Sequence, residues 1–259
     1  DQWIRRMVSQ LTSEKDIVVG FSPYYSYKGN LNALIRYETF QTALQYFSFA
    51  LAKMPFMGVG RNLLYRKSTF WSVNGFQKHT DLLSGDDDLF INDVAKRDNV
   101  AVCISEDAWT YSEPKRTWNE WITQKRRHLS VGKRYRLQNK ISIGLLWMSQ
   151  LITWLLAIPV FFASPEWFIA PEWSRISATW LKQYGLAHWM PYNDWMRLIT
   201  GIFIGWILIK WLVLHYANKK LGRTFKSIKI PKFDLLYTIY LVVFGIITLV
   251  SNPKKIKWR

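Results

Sequence analysis

The sequence contains very little cysteine, few histidines and few acidic residues. Its single cysteine, Cys103, excludes an internal disulfide framework and any zinc site built from several cysteines. The histidines are scattered without the spacing of metal ligands and identify no metal site: His79, His128, His188 and His215. With 35 Lys and Arg against 18 Asp and Glu, the formal net charge is +17, and only four acidic residues follow Lys140. The basic excess therefore dominates the second part of the chain.

Aromatic and aliphatic residues are abundant. Hydrophobic residues make up 49% of the 259 residues and aromatic residues 17%, including 15 Trp. This composition excludes a disordered tail, a collagen-like repeat and a low-complexity linker. A chain of this length and composition can bury a core.

Long apolar runs occupy the second part of the chain. Residues 141–163 contain no charged residue, residues 198–217 contain only Lys210, and residues 235–250 again contain none. The first two runs are long enough to span a bilayer and the third is close to the minimum length. The stem of Lys210 could extend toward the nearer membrane interface. We therefore predict three membrane spans, with membrane lipids rather than nucleic acid as partners.

The basic stretches between and beyond these runs predict orientation. Residues 115–140, 219–232 and 254–259 are rich in Lys and Arg, whereas residues 164–197 have balanced charge. The basic stretches are therefore expected inside the cell and the balanced connection outside. Three spans that start inside should nevertheless end outside, where a basic tail is unexpected. Either one segment is re-entrant or the Trp-rich stretch at residues 167–180 enters the membrane again.

The first 140 residues alternate between strand and helix patterns. Strands are predicted at residues 16–21, 63–66 and 100–104, with Cys103 as a small buried side chain. Helices are predicted over residues 31–53 with Asn30 as N-cap, after Ser68 as N-cap, and from Gly85 to about residue 94. The alternation predicts a mixed α/β layer fold.

Three consecutive carboxylates, Asp86, Asp87 and Asp88, stand at the predicted start of a helix. One of them could cap the helix while the others complement its dipole. A cap needs a single carboxylate, however, and three together repel one another unless a cation or a proton compensates. Such clusters favour acid/base chemistry or metal binding.

A second group of polar residues follows on another predicted helix. Thr117 and Glu120 have the spacing of a capping box, and Gly132 can end the helix. Gln124, Arg127 and His128 then share one helical face. These side chains could hold a diphosphate or sugar hydroxyls. The alternative is a solvated basic face beside anionic lipid headgroups.

The order of these motifs resembles one family. Ser84-Gly85-Asp86-Asp87 is followed about forty residues later by Gln124-x-x-Arg127, directly before the apolar runs. Further matches are Gly58-x-Gly60-x-Asn62 with Tyr65-Arg66-Lys67, Asn74-Gly75-Phe76, and the basic stretch from Asn252 to Trp258. Together they are similar to the family 2 membrane glycosyltransferases, which include the cellulose, chitin and hyaluronan synthases. The resemblance covers nearly the whole chain.

The resemblance implies roles for individual residues. Asp87 matches the family's catalytic base and Asp86 its acidic neighbour, while Gln124 and Arg127 match the helix that closes over the donor diphosphate. His128 stands where the family usually has Trp, which argues against long-chain processive synthesis. Further residues implied in donor or acceptor binding are Gly60, Asn62 and Asp88.

The resemblance also implies an architecture. Residues 1–140 would be the acceptor-side, C-terminal half of a cytosolic GT-A type mixed-sheet domain, and residues 141–259 an α-helical transmembrane region in a bacterial inner membrane. The family's nucleotide-binding half carries a D-x-D motif for Mg²⁺ or Mn²⁺, and it is expected before Asp1. Residues 1–259 alone are then expected to be inactive.

The implied reaction is inverting transfer of a sugar, as in a hexosyltransferase. A nucleotide sugar would be the donor, and a glycan or a lipid-linked molecule the acceptor. A non-catalytic, membrane-anchored binding or scaffold protein would also account for the spans and basic flanks. A scaffold function does not explain why the acidic triplet and the Gln124 helix occur in the same chain. A transporter is weakly supported because the spans lack paired charges.

Overall fold

The computed structural model describes residues 2–82, 84–162 and 192–250. Contacts divide the chain into two compact units. The first contains Asp1–Trp147 and His215–Arg259, and the second contains Met148–Leu214. Most of the described residues are helical. The predicted domain division at residue 140 is not tested by these units and stays a prediction.

A small mixed sheet of three strands lies in the first unit. Its strands are β1 (Ile17–Gly20), β2 (Leu63–Tyr65) and β3 (Val100–Cys103), in the order β2-β1-β3. β1 pairs antiparallel with β2, with Ile17 opposite Tyr65, and parallel with β3, with Gly20 opposite Cys103. The central strand is fully buried, as its run of Ile and Val predicts. The three predicted strands and the burial of Cys103 are confirmed.

Five helices accompany the sheet: α1 (Gln2–Val8), α2 (Asn30–Leu51), α3 (Lys67–Trp71), α4 (Asp86–Val94) and α5 (Trp118–Ser130). A short 3₁₀ turn, Gly60–Asn62, leads into β2. α2 contacts β3, and the turn at Gly60–Asn62 contacts α4. α4 and the glycine turn therefore lie next to each other in the first unit.

Local capping predictions have mixed outcomes. The capping box of α5 is confirmed, because Thr117 Oγ1 accepts a hydrogen bond from the Glu120 amide and Glu120 Oε2 accepts one from the Thr117 amide. Asn30 and Ser68 are not N-caps. The cap of α2 is Gly29 and that of α3 is Arg66, neither with a side-chain cap bond. Gly132 does not end α5 but lies in a following 3₁₀ turn, Val131–Arg134.

Three further helices are long and apolar enough to cross a membrane: α6 (Leu137–Phe162), α7 (Tyr192–Lys220) and α8 (Ile230–Val250). Their candidate spans are Leu137–Ala157, Ile199–Lys220 and Ser227–Thr248. The third predicted run, 235–250, lies mostly within the candidate span Ser227–Thr248, whose 22 residues are enough to cross a membrane.

α8 packs closely with the sheet-bearing part of the first unit. About 39% of its candidate span is buried, against 11% for each of the other two. A core cluster joins α2, α5 and α8 through Ile35, Trp121, Tyr240, Leu241 and Phe244. Trp121 contacts the rings of Tyr240 and Phe244 at centroid distances of 5.7 and 5.4 Å. α5 is therefore held against a candidate membrane helix.

A polar contact joins the two apolar helices of the second unit. Lys210 Nζ of α7 donates a 2.7 Å hydrogen bond to Gln150 Oε1 of α6. The ammonium thus bonds to a neighbouring helix, a role not anticipated in the prediction that its stem extends to the interface. The predicted Trp-rich re-entry at residues 167–180 and the basic tail at 254–259 lie outside the described residues.

Candidate active site

The acidic triplet forms the first turn of α4. The N-cap is Gly85 in the left-handed conformation, φ 95°, and no side chain caps the helix. A Cβ on Gly85 would lie 2.5 Å from Val131 Cγ1, so glycine is required both for its conformation and for close packing against the segment after α5. None of the three carboxylates is therefore the N-cap, although all three stand in the first turn, where they complement the helix dipole.

Asp87 is held by two backbone amides. Its Oδ2 accepts a 2.6 Å hydrogen bond from the Gly60 amide, and its Oδ1 accepts a 2.9 Å bond from the Asp88 amide. Burial raises the pKa of Asp87 above its usual value, the two amide bonds oppose this shift, and the charge of Asp86 adds to it. Asp87 is thus a fixed carboxylate with increased basicity.

The two neighbouring carboxylates have different surroundings. Asp86 is exposed, whereas Asp88 is half-buried beside Tyr135. Burial raises the pKa of Asp88 well above its usual value, and the charge of Asp87 raises it further. A hydrogen bond from Tyr135 and the charge of Lys125 act in the opposite direction. Burial and the neighbouring charge therefore favour the protonated form of Asp88, which would relieve part of the repulsion within the triplet.

α5 directs polar side chains into the same region. Gln124, Arg127 and His128 occupy one face, and Arg127 Nη2 lies 3.2 Å from His128 Nε2. The adjacent Lys125 Nζ donates a 2.5 Å bond to Glu38 Oε2 of α2, and these side chains are only 12% and 7% exposed. This buried ion pair fixes α5 against α2 and so determines where the polar face points.

The surroundings of His128 favour its neutral form. Desolvation by the surrounding protein lowers the pKa of His128, and Lys125, Arg127 and Arg61 lower it further. Solvent still reaches the ring, which weakens the desolvation, but all of these causes act in the same direction. A neutral imidazole can donate one hydrogen bond and accept another, or it can stack on a sugar ring.

These residues line one cavity of about 1140 Å³. The predicted site residues that it brings together are Asp86, Asp87, Asp88, Gln124, Arg127, His128 and Gly60. Its wall continues along α6 at Ile143, Gly144 and Trp147 and along α8 at Tyr237 and Leu241. The cavity therefore joins a charged end to an end formed by candidate membrane helices.

Asn62 does not line the cavity. It is 1% exposed, and its Nδ2 donates to the carbonyls of Phe21 and Ala108 at 2.6 and 2.7 Å. Its Oδ1 accepts a 2.9 Å bond from the Trp3 indole. The side chain thus ties the glycine turn to three other segments, and it holds Gly60 in place rather than contacting the cavity.

Several polar residues of the cavity were missed from the sequence. They are Glu38, Arg61, Lys125 and Tyr135. Glu38 could have been noticed in the sequence because it is the only acidic residue among the 22 residues of α2. Arg61 lies within the recognised glycine motif, and its guanidinium stacks 4.3 Å from the centre of the Tyr24 ring. Lys125 stands next to Gln124, but only the fold shows its pairing.

Buried nitrogen atoms without a hydrogen-bond partner also mark the cavity. Among the described residues, Gln45 Nε2, Arg61 Nη1, His79 Nδ1 and Trp147 Nε1 have none, and all four residues line the cavity. Leaving such groups unpaired is costly. They are therefore available to a polar ligand or to water.

The acidic triplet does not form a metal site. In residues 2–82, 84–162 and 192–250, no group of three or more His, Cys, Asp or Glu side chains could hold a metal ion. Both oxygens of Asp87 face backbone amides, and Asp86 and Asp88 have separate environments. The Mg²⁺ or Mn²⁺ that the resemblance implies stays a prediction.

No family model, curated protein or solved structure matches the chain.

Proposed function

We propose that the protein is part of a membrane-bound inverting glycosyltransferase of the family 2 type. It would move a sugar from a nucleotide-sugar donor to a glycan or a lipid-linked acceptor. One observation carries this proposal: an amide-held carboxylate with raised pKa, Asp87, and the polar face of α5 line the same cavity. The described sheet would then be the core of the acceptor half of a GT-A domain.

Asp87 is the proposed general base. It would accept the proton of the acceptor hydroxyl as that oxygen forms a bond to the anomeric carbon of the donor sugar. The bond from this carbon to the diphosphate breaks on the opposite side, and the nucleoside diphosphate leaves. The raised pKa of Asp87 supports this role because it makes the carboxylate a stronger base than an ordinary aspartate.

The diphosphate is assigned to α5. Arg127 matches phosphate oxygens by bidentate hydrogen bonding, and Gln124 adds an amide donor from the same helical face. Both side chains line the cavity with Arg61, whose Nη1 has no hydrogen-bond partner. His128 would contact the acceptor, which would lie closer to Asp87 than the diphosphate does. The required divalent cation would bind to residues other than those described.

The apolar wall supports an acceptor at the membrane. Ile143, Trp147 and Leu241 continue the cavity from the carboxylates onto α6 and α8. The basic stretches on either side of these helices support the proposal that the sheet-bearing part lies in the cytosol of a bacterial cell, as the positive-inside rule would predict.

The test uses membranes that contain the full-length gene product. A panel of nucleotide sugars is supplied, and release of nucleoside diphosphate and labelling of membrane extracts are measured. Asp87→Asn should reduce transfer by about 10²- to 10⁴-fold while donor binding persists, because the amide keeps the shape but accepts no proton. Asp98→Asn is the control, since Asp98 pairs with Lys53 on the exposed surface.

Two outcomes would contradict the proposal. Equal transfer by wild type and Asp87→Asn, at equal protein in the membrane, would remove Asp87 as the base. Failure of the wild type to bind or consume any donor would instead favour a membrane-anchored scaffold.

A further inference from the structure

A second cavity, of about 700 Å³, lies at the junction of α7 and α8. α2 contributes to it through Ala33 and Arg36, and all of its lining residues belong to the first compact unit. The basic side chains that line it are Arg36, His215, Lys219, Arg223, Lys226 and Lys229. Among the described residues, no Asp or Glu lines it. This concentration of one charge requires compensation.

The connection between α7 and α8 is internally bonded. Asn218, 1% exposed, donates from Nδ2 to the Phe225 carbonyl at 2.9 Å and accepts a 3.0 Å bond from Thr224 Oγ1. Its carbonyl accepts a 2.7 Å bond from the Arg223 amide. Arg223 itself has a positive φ of 50°. These bonds fix the turn that carries Arg223 and Lys226, so the cavity wall is preorganised rather than a flexible basic tail.

Arg36 supplies a partly enclosed cation at the α2 side. Its Nη1 donates a 2.6 Å bond to Ser26 Oγ, and both residues line the cavity. Burial lowers the pKa of the Arg36 guanidinium, and the charge of Tyr111 acts in the opposite direction. An anion in the cavity would stabilise the charged guanidinium. The hydroxyls of Ser26 and Ser227 add short hydrogen-bond donors for its oxygens.

The position along the candidate membrane helices identifies the source of the anion. One candidate span ends at Lys220 and the next begins at Ser227, so the cavity lies between the two at the boundary of the apolar segments. Phospholipid phosphates occupy this level of a bilayer, and anionic leaflets attract clustered Lys and Arg there.

We propose that this cavity is a binding site for the phosphate headgroup of an anionic phospholipid. The headgroup lies among Arg36, Arg223 and Lys226, and its acyl chains lie along the apolar surfaces of the adjoining helices. Bound lipid fixes the α7–α8 connection and, through α8, the packing of α5. The site is separate from the large cavity and does not depend on the proposed glycosyl transfer.

The experiment uses the full-length protein purified in neutral detergent. Thermal unfolding is measured with added phosphatidylglycerol, with phosphatidylcholine, or with inorganic phosphate, and phosphatidylglycerol affinity is obtained from the concentration dependence. The test variant is Lys226→Gln/Lys229→Gln. The matched control is Lys220→Gln/Lys232→Gln, which removes the same charge at the same membrane level from residues that do not line the cavity.

Phosphatidylglycerol should stabilise the wild type and the control variant, and phosphatidylcholine should not. The test variant should bind phosphatidylglycerol at least about tenfold more weakly, because it removes charge-assisted hydrogen bonds to the bound phosphate, each worth roughly tenfold or more. Equal weakening in the two double variants would mean that diffuse surface charge, not this cavity, attracts the lipid. Stabilisation by inorganic phosphate equal to that by phosphatidylglycerol would overturn the assignment to a lipid headgroup.

Arg36→Gln provides a third variant on a different element, and unchanged lipid affinity in it would exclude Arg36 from the site.

Discussion

The amide of Gly60 donates a 2.6 Å hydrogen bond to Oδ2 of Asp87, across 27 residues of sequence. The glycine turn before β2 and the acidic start of α4 are therefore one structural feature. A Cβ at Gly60 would lie 3.0 Å from Asp87 Oδ2 and 3.1 Å from Asp87 Cβ. The absence of a side chain at residue 60 is what allows the carboxylate to reach the backbone, and it fixes the direction in which Asp87 faces the cavity.

Gly60→Ala should reduce transfer by about 10- to 100-fold because it displaces Asp87, and small displacements of a catalytic group have effects of this size. The fold should persist, since a few tenths of an ångström relieve the contact. Gly205→Ala is the control, because a Cβ at Gly205 has no atom within 4 Å. Activity equal to that of the control would mean that the Gly60 contact does not position the base.

The pH dependence of transfer should reveal the environment of Asp87. Activity requires the deprotonated base, so it is present above the pKa of Asp87 and lost as the pH falls through it. Because that pKa is raised, the acid limb should lie above that of an ordinary aspartate. Asp86→Asn removes a charge that raises the pKa of Asp87, so its acid limb should move to lower pH. The pH profile of kcat/KM is measured for Asp86→Asn and for Asp98→Asn. If the acid limb of Asp86→Asn did not move, the limb would belong to a group other than Asp87.

Local features of the fold could be predicted from the sequence because they depend on neighbouring residues. The β-branched run gave β1, and the spacing of Thr117 and Glu120 gave the capping box of α5. The N-cap of α2 could not be predicted in the same way, because Gly29 rather than Asn30 occupies that position with no side-chain bond. Its backbone conformation, with φ 121°, favours glycine more strongly than a cap bond favours asparagine.

Contacts between distant segments could not be predicted. Asn62 stands in a recognised motif, but only the fold shows that its amide bonds Phe21 and Ala108 instead of a ligand. Lys125 and Glu38 are 87 residues apart, and nothing in either local sequence indicates their pairing. The resemblance implies roles for Asp87, Gln124 and Arg127 in one reaction, but only the structure shows that they line one cavity with an apolar wall.

Arg127→Ala should weaken binding of the nucleoside diphosphate by roughly ten- to a hundredfold, since a charge-assisted hydrogen bond to phosphate is lost. Arg97→Ala removes the same charge from an exposed position remote from the cavity lining and should have no such effect. Titration of the full-length protein with the nucleoside diphosphate measures both. Equal losses would indicate attraction by general basic charge, and no loss in either would exclude α5 from diphosphate binding.

The ion pair of Glu38 and Lys125 should contribute to the stability of the fold. Removing one partner should lower stability because the other charge would stay buried without a counter-charge. Glu38→Gln leaves the Lys125 ammonium without its counter-charge where its side chain is only 12% exposed. Loss of one partner from a buried pair typically costs about 3–5 kcal/mol. Asp98→Asn breaks the exposed pair with Lys53 and should cost at most about 1 kcal/mol.

Thermal unfolding of the full-length protein in mild detergent checks this comparison. Glu38→Gln should unfold at a clearly lower temperature than Asp98→Asn, and Glu38→Gln/Lys125→Met should recover much of the loss because no uncompensated charge remains. The double variant should still transfer poorly, since α5 would have lost the contact that fixes its polar face against α2. Equal unfolding temperatures for Glu38→Gln and Asp98→Asn would mean that water reaches Lys125. The ion pair would then not be what holds α5 against α2.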